Sequence, residues 1–264
     1  MARQRSVAPF LTVLQSRIRQ PQFFWFLGHF MVLYHGLKIH LRLFGVKNTQ
    51  YHYRCCLAYL TVTYGIVLYQ FVKSGQLDFQ FATIRRRLLE LDTLQYFVLL
   101  TSLYILSYGG FIDLNILNSL HIYSFFHCLN YFKENLLPFI SLIPVQTRTT
   151  LNQSITFFIE SSNRLCLRIA HDFEMSCVFM LSVRAIFYAL SAPLYPTKCR
   201  LIGALIYIWF FKLRYIQNEQ LRKDVDDKIA MVEKAPFMIQ NPQLQHLWFS
   251  VKNTYLYVLK AMPV

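Results

Sequence analysis

The sequence predicts an all-α, multi-pass helical membrane protein built from helical hairpins and ending in an amphipathic helix. Three observations carry that expectation. The 264 residues are 55% hydrophobic and 17% aromatic but only 15% charged, whereas soluble domains carry about 25% charged residues. Four stretches of 18 to 20 residues contain no Asp, Glu, Lys or Arg, and at ~1.5 Å per residue each can cross a hydrocarbon core of ~30 Å. Apolar residues near the C-terminus recur at helical spacing on one face.

Residues 1–19 form a basic, cytosolic N-terminus, MARQRSVAPFLTVLQSRIR. It lacks an A-x-A cleavage site and reads as an uncleaved anchor; a mitochondrial presequence is the alternative, since the start is Arg-rich and acid-free. The membrane domain then spans 20–212. Its apolar segments are QPQFFWFLGHFMVLYHGL (20–37), CCLAYLTVTYGIVLYQFV (55–72), TLQYFVLLTSLYILSYGGFI (93–112) and LNILNSLHIYSFFHCLNYF (114–132). Only Asp113 separates the last two. Continuous helix of that length would overshoot any bilayer, so Gly109-Gly110 and Asp113 predict a tight hairpin turn.

Residues 133–172 mix prolines, scattered charges and an amphipathic run, and are expected in the cytosol. A second, short-armed hairpin is predicted over 173–212. Its second arm, LIGALIYIWFFKLRY (201–215), has eleven apolar residues between Arg200 and Lys212. That is about half a bilayer core in length, so the arm predicts a wedge in one leaflet. Lys198, Arg200, Lys212 and Arg214 are then expected to reach headgroups. Arg184 interrupts the first arm and reads as interfacial, with a substrate path as the alternative.

The region 213–264 is expected in the cytosol. A charged helix is predicted over 215–234, with Leu221, Val225, Ile229 and Val232 as a narrow apolar stripe. Ala235-Pro236 ends it, and Asn241-Pro242 is an N-cap followed by proline at the first helical position. In the helix predicted over 243–262, Leu244, Leu247, Trp248, Val251, Tyr255, Val258, Leu259 and Met262 share an arc of about 120°. Lys252 and Lys260 flank it. Two readings fit: a helix lying among headgroups, or one packed on the membrane domain.

The formal charge is +14, and nine Lys and Arg precede the first acid, Asp78. A basic excess spread between apolar runs favours the lipid bilayer and its anionic headgroups as partners over nucleic acid. The six cysteines follow no framework and read as reduced thiols, although Cys55-Cys56 beside Arg54 also suit palmitoylation. The histidines show no metal-ligand spacing, and no phosphate loop, dinucleotide fingerprint or nucleophile elbow occurs. His171-Asp172 and Glu174 read as solvated flanking residues. No cofactor, metal or catalytic residue is expected, and the chain reads as non-enzymatic.

Three passages resemble one family. LLELD leads into a Tyr-rich span within TIRRRLLELDTLQYFVLLTSLYI (83–105), a His precedes a Tyr and a Lys in FHCLNYFKEN (126–135), and K-L-R-Y opens a charged helix in LIYIWFFKLRYIQNEQLRKDVDDKI (205–229). Their order and spacing are similar to the transmembrane protein 33 family, over roughly residues 40 to 262. That resemblance implies a multi-spanning protein of the endoplasmic reticulum and nuclear envelope, including nuclear pores. It also implies reticulon-like proteins, nucleoporins and an import receptor as partners, and a membrane-binding C-terminal amphipathic region. It implies no catalytic residues.

Two functions compete. One is membrane shaping through wedge-like hairpins and the final helix; the other is a small transporter or channel with a polar path near Arg184, His121, His127 and Asp113. Four spans with cytosolic termini would place Lys38, Arg42, Lys47 and Arg54 in a lumenal loop, against the positive-inside tendency. Either the first segment is re-entrant, or the basic residues at 85–87 and in the tail outweigh that loop.

Overall fold

Helices dominate the computed structural model, which describes residues 10–41, 48–77, 81–140, 142–191 and 197–261. No strand occurs among them. The chain divides into two units, Met1–Gln76 with Ile112–Ala170, and Leu77–Phe111 with His171–Val264.

In the first unit, α1 (Phe10–Ile18) leads to α2 (Pro21–His40), which opens on proline where a missing N–H costs nothing. α2 and α3 (Thr49–Lys73) are consecutive and packed side by side, forming a helical hairpin, and α6 (Ile116–Tyr131) packs on α2 as well. The inner face of α2 is made of Gly28, His29, Val32, His35, Gly36 and Ile39. Its outer face exposes Phe24, Leu27, Phe30, Tyr34 and Leu37, spaced three or four apart. Small and polar residues inside with aromatics outside is the arrangement of a helix solvated by lipid. Gly28 and Gly36 permit the close approach: a Cβ at either would collide with Thr63 or His121. A π turn, Phe132–Leu136, and a short 3-10 turn, Leu137–Phe139, follow α6.

The next helix, α7 (Val145–Leu190), is 46 residues long and supplies both units, with 145–170 in the first and 171–190 in the second. The helix runs from the amphipathic part of 133–172 into the segment beyond residue 172 without interruption. Pro138 and Pro144 lie before the helix, and the sequence from 145 to 190 holds neither Gly nor Pro, so nothing interrupts the i→i−4 ladder. α3 and α7 are long and apolar enough to cross a membrane.

In the second unit, α4 (Phe81–Glu90), α5 (Asp92–Tyr108) and α8 (Thr197–Gln217) pack together, and α9 (Glu219–Glu233) packs on α8. α5 ends at Gly109, and Gly110 takes φ +91°, the left-handed conformation that the Gly-Gly step anticipates. The segments read as one hairpin nevertheless fall in different units: α5 takes α8 as its principal partner, and α6 takes α2. Tyr207, Ile208, Phe210, Phe211 and Leu213 of α8 are buried. The stretch 207–214 is therefore a core element of its own unit. Asn218 then caps α9 by accepting from the Leu221 N–H at 3.0 Å. A single turn, α10 (Pro236–Ile239), precedes α11 (Pro242–Ala261), whose Asn241 cap accepts from Leu244 N–H at 3.2 Å.

Candidate functional site

Polar residues cluster where α5, α7, α8 and α9 meet in the second unit. On the second half of α7 the buried positions are Ala170, His171, Glu174, Cys177, Val178, Leu181 and Ala185. Their spacing of one, three and four is an ordinary core stripe, but two of its members are ionisable. Glu174 is 1% exposed. One of its carboxylate oxygens accepts from the Tyr96 hydroxyl at 2.9 Å, and the other lies 3.9 Å from Arg214 Nη2. Arg214 donates from Nη1 to Asp92 at 2.9 Å, and its guanidinium sits 5.2 Å from the centre of the Tyr96 ring. Buried charges survive only when paired and hydrogen-bonded, and this group meets both conditions.

A second pair lies beside it. His171 Nδ1 and Asp224 Oδ2 are 2.6 Å apart, both side chains nearly enclosed, and Gln220 donates to the same carboxylate at 3.1 Å. Gln95 Nε2 donates to Gln217 at 2.9 Å and to Leu88 O at 2.8 Å, while Gln217 donates to Glu90 O at 2.8 Å. Together these bonds fix the start of α9 against the bundle. The chemistry on offer is positional, for every carboxylate here is answered by a cation or donor.

Two sequence expectations are corrected by this cluster. His171 and Glu174 are interior residues rather than solvated flanks; their i, i+3 spacing in phase with Cys177 and Leu181 was the available signal. Arg214 and Lys212 are likewise enclosed, at 4% and 6% exposure. Arg214 spends its charge on Asp92 and Glu174 rather than on headgroups. Lys198 and Arg200, at the other end of α8, are exposed.

The final helix is clamped at one edge. The Glu233 carboxylate accepts from Trp248 Nε1 at 3.2 Å and from Lys252 Nζ at 2.7 Å. These bonds, Lys252 first, hold the Glu233 carboxyl below its ordinary pKa. Trp248 and Lys252 thus face α9, whereas Leu244, Leu247 and Val251 remain exposed, Leu247 at 59%. At ~100° per residue those three fall within about 60° of one another. The side chains of Tyr255, Val258, Leu259 and Lys260, and all of Met262, lie outside the described residues.

The polar residues of the alternative transport reading occupy separate surroundings. His121 packs beside Gly36, with His40 at 5.6 Å between ring centres. His127 lies against Trp25 and His29, at 4.9 and 4.7 Å. Asp113 is buried and accepts from the Asn115 N–H. Those three belong to the first unit and Arg184 to the second. Cys56 is fully enclosed, its thiol directed at Val32 O, which leaves Cys55 as the reachable member of the pair. Among the described residues no group of three His, Cys, Asp or Glu could hold a metal.

Comparison with known proteins gives a consistent result. The profile of the Transmembrane protein 33/Nucleoporin POM33 family matches residues 7–248. The "Pore and endoplasmic reticulum protein of 33 kDa" of Saccharomyces cerevisiae is 40% identical over 269 aligned positions, covering 99% of this chain and 98% of the relative. No solved structure matches the chain.

Proposed function

The chain belongs to the Transmembrane protein 33/Nucleoporin POM33 family, and from that premise we propose that it is a non-enzymatic membrane protein of the endoplasmic reticulum and nuclear envelope. It stabilises curved membrane and contributes to the assembly or distribution of nuclear pores. The name of its yeast relative supports that location.

The observation that carries the mechanism is the exposed stripe Leu244–Leu247–Val251 on a helix held by Glu233. A free amphipathic helix rolls to bury its apolar face. This one is fixed along the edge bearing Trp248 and Lys252, so its stripe is offered outward. Burying a leucine or valine side chain is worth about 1.5–3 kcal/mol, so three of them suffice to sink the helix into the headgroup layer. Tyr255, Val258, Leu259 and Met262 continue the same arc in sequence, and Lys260 with Lys198 and Arg200 adds attraction to anionic headgroups. Area inserted on one side only favours bending. Within 173–212 the exposed Ile186, Phe187, Leu190, Ile202 and Leu205, rather than the buried stretch 207–213, contribute a second, shallower wedge.

Nucleoporins, reticulon-like proteins and an import receptor are the partners that the family resemblance brings to this reading. The test is reconstitution of the full chain into anionic vesicles. The native protein should yield smaller vesicles than a Leu247→Asp, Val251→Asp variant of equal helicity. Equal diameters overturn the mechanism.

A further inference from the structure

In the first unit, the start of α2 and the ends of α3 and α6 line an open cavity of about 320 Å³. Its lining combines ring faces, side-chain amides and one acid: Trp25, His127 and Tyr131, then Gln70 and Asn130, then Glu134. Trp25 and His127 meet edge to face at 4.9 Å, and the Tyr131 ring stacks on Phe26 at 4.5 Å. Tyr131 is 5% exposed, and its buried hydroxyl has no hydrogen-bond partner among the described residues. An orphaned buried hydroxyl at a cavity wall points to an acceptor that arrives from outside the chain. Arg17 is near enough to act electrostatically on that phenol.

The π turn Phe132–Leu136 lies at the same wall and carries Glu134 and Asn135. Such turns re-aim side chains at the cost of regular bonding, and they concentrate at binding sites. Among the described residues Glu134 makes a loose, exposed contact with Lys133 at 3.9 Å, so its carboxylate remains available to a second cation. In sequence, Arg17, Arg19, Lys73 and Lys133 flank the apolar stretches that end here, which puts the cavity at headgroup depth.

We propose that this cavity binds a phosphocholine headgroup, with the quaternary ammonium among Trp25, His127, Tyr131 and Glu134 and the phosphate oxygens on the Tyr131 hydroxyl under the field of Arg17. A quaternary ammonium donates no hydrogen bond, so ring faces and a carboxylate are what it requires. A phosphodiester supplies the missing acceptor. A net-anionic headgroup would meet Glu134, and a primary ammonium would leave N–H donors unmatched against the ring faces.

The full chain, purified in mild detergent, is mixed with equal amounts of phosphatidylcholine, phosphatidylethanolamine and phosphatidylglycerol bearing the same acyl chains. Native mass spectrometry counts what is retained. One phosphatidylcholine should be kept over each competitor by about fivefold or more. Glu134→Gln and Trp25→Leu should each erase that preference, and Lys223→Gln, on α9, should not. Circular dichroism checks that each variant retains its helicity. Equal retention of the three lipids overturns the proposal, as does a preference that survives both cavity variants. Excess soluble phosphocholine then identifies the source. Displacement means that the headgroup suffices, whereas persistence means that the acyl chains of a bilayer lipid contribute, and either result supports headgroup recognition.

Discussion

Tyr96 donates its hydroxyl hydrogen to Glu174 at 2.9 Å, so that a tyrosine of α5 and a carboxylate of α7 share one buried bond. Arg214 completes the group from α8. Removing one partner of an enclosed ion pair strands the other, at about 3–5 kcal/mol, whereas removing both with apolar or neutral groups of like volume costs far less. Arg214→Ala should therefore lower the thermal stability of the detergent-solubilised chain sharply. The double change Arg214→Met, Glu174→Gln should recover more than half of the loss. A single-variant cost below about 1 kcal/mol would mean that the cluster does not hold the unit together.

A His–Asp contact and a Lys–Asp ion pair join α7 to α9, and they should differ in strength. His171 and Asp224 are nearly enclosed, while Lys228 and Asp172 are 45% and 38% exposed. Solvent and salt screen the outer pair to about 0–1 kcal/mol. Asp224→Asn should then release α9 measurably, read as faster proteolysis beyond Asn218, and Asp172→Asn should leave it nearly unchanged. The reverse order would place the anchor of α9 elsewhere.

Acid should free the final helix. Glu233 has its pKa depressed by Lys252 and then Trp248, so the stabilisation is complete above the ordinary glutamate pKa of about 4.3 and is lost as pH falls through the lower, folded value. Fluorescence of Trp248, in a chain with Trp25→Phe and Trp209→Phe, should stay constant from neutral pH down to the ordinary carboxylate range and change only below it. Glu233→Gln should show the undocked signal at every pH. A transition near neutrality would assign the clamp to another group.

Asn152-Gln153-Ser154 is a glycosylation sequon exposed on α7. With 133–172 on the cytosolic side it should carry no glycan in cells. A glycosidase-sensitive mass shift that Asn152→Gln abolishes would reverse the orientation of this segment.

Local features were legible in the sequence where local chemistry decides them. The Asn241-Pro242 start of α11 and the Gly110 turn follow from residue type alone, and α2 and α3 from uncharged length. The run of 46 residues without Gly or Pro was equally visible, but its scattered charges hid that one helix continues from the amphipathic run into the apolar segment after residue 172. The polar cluster was harder to read, because its members are distant along the chain: Arg214 meets Asp92 across 122 positions. A lysine or arginine after an apolar run looks like a headgroup anchor until its partner is known. His171 and Glu174 resisted for a different reason. Polarity suggested water, and only their phase with Cys177 and Leu181 placed them inside.

The face that α2 turns inward inverts the usual tolerance of a helix. In a water-soluble bundle the outer residues can drift and the greasy interior is guarded. Here the outer residues Phe24, Leu27, Phe30, Tyr34 and Leu37 are exposed, and a lipid surround would ask only that they stay apolar. Leucine, methionine and phenylalanine are interchangeable there. The constraint lies instead at Gly28 and Gly36, where one added methyl meets Thr63 or His121. Fit rather than grease holds the helix, since moving an apolar side chain from lipid to protein gains little.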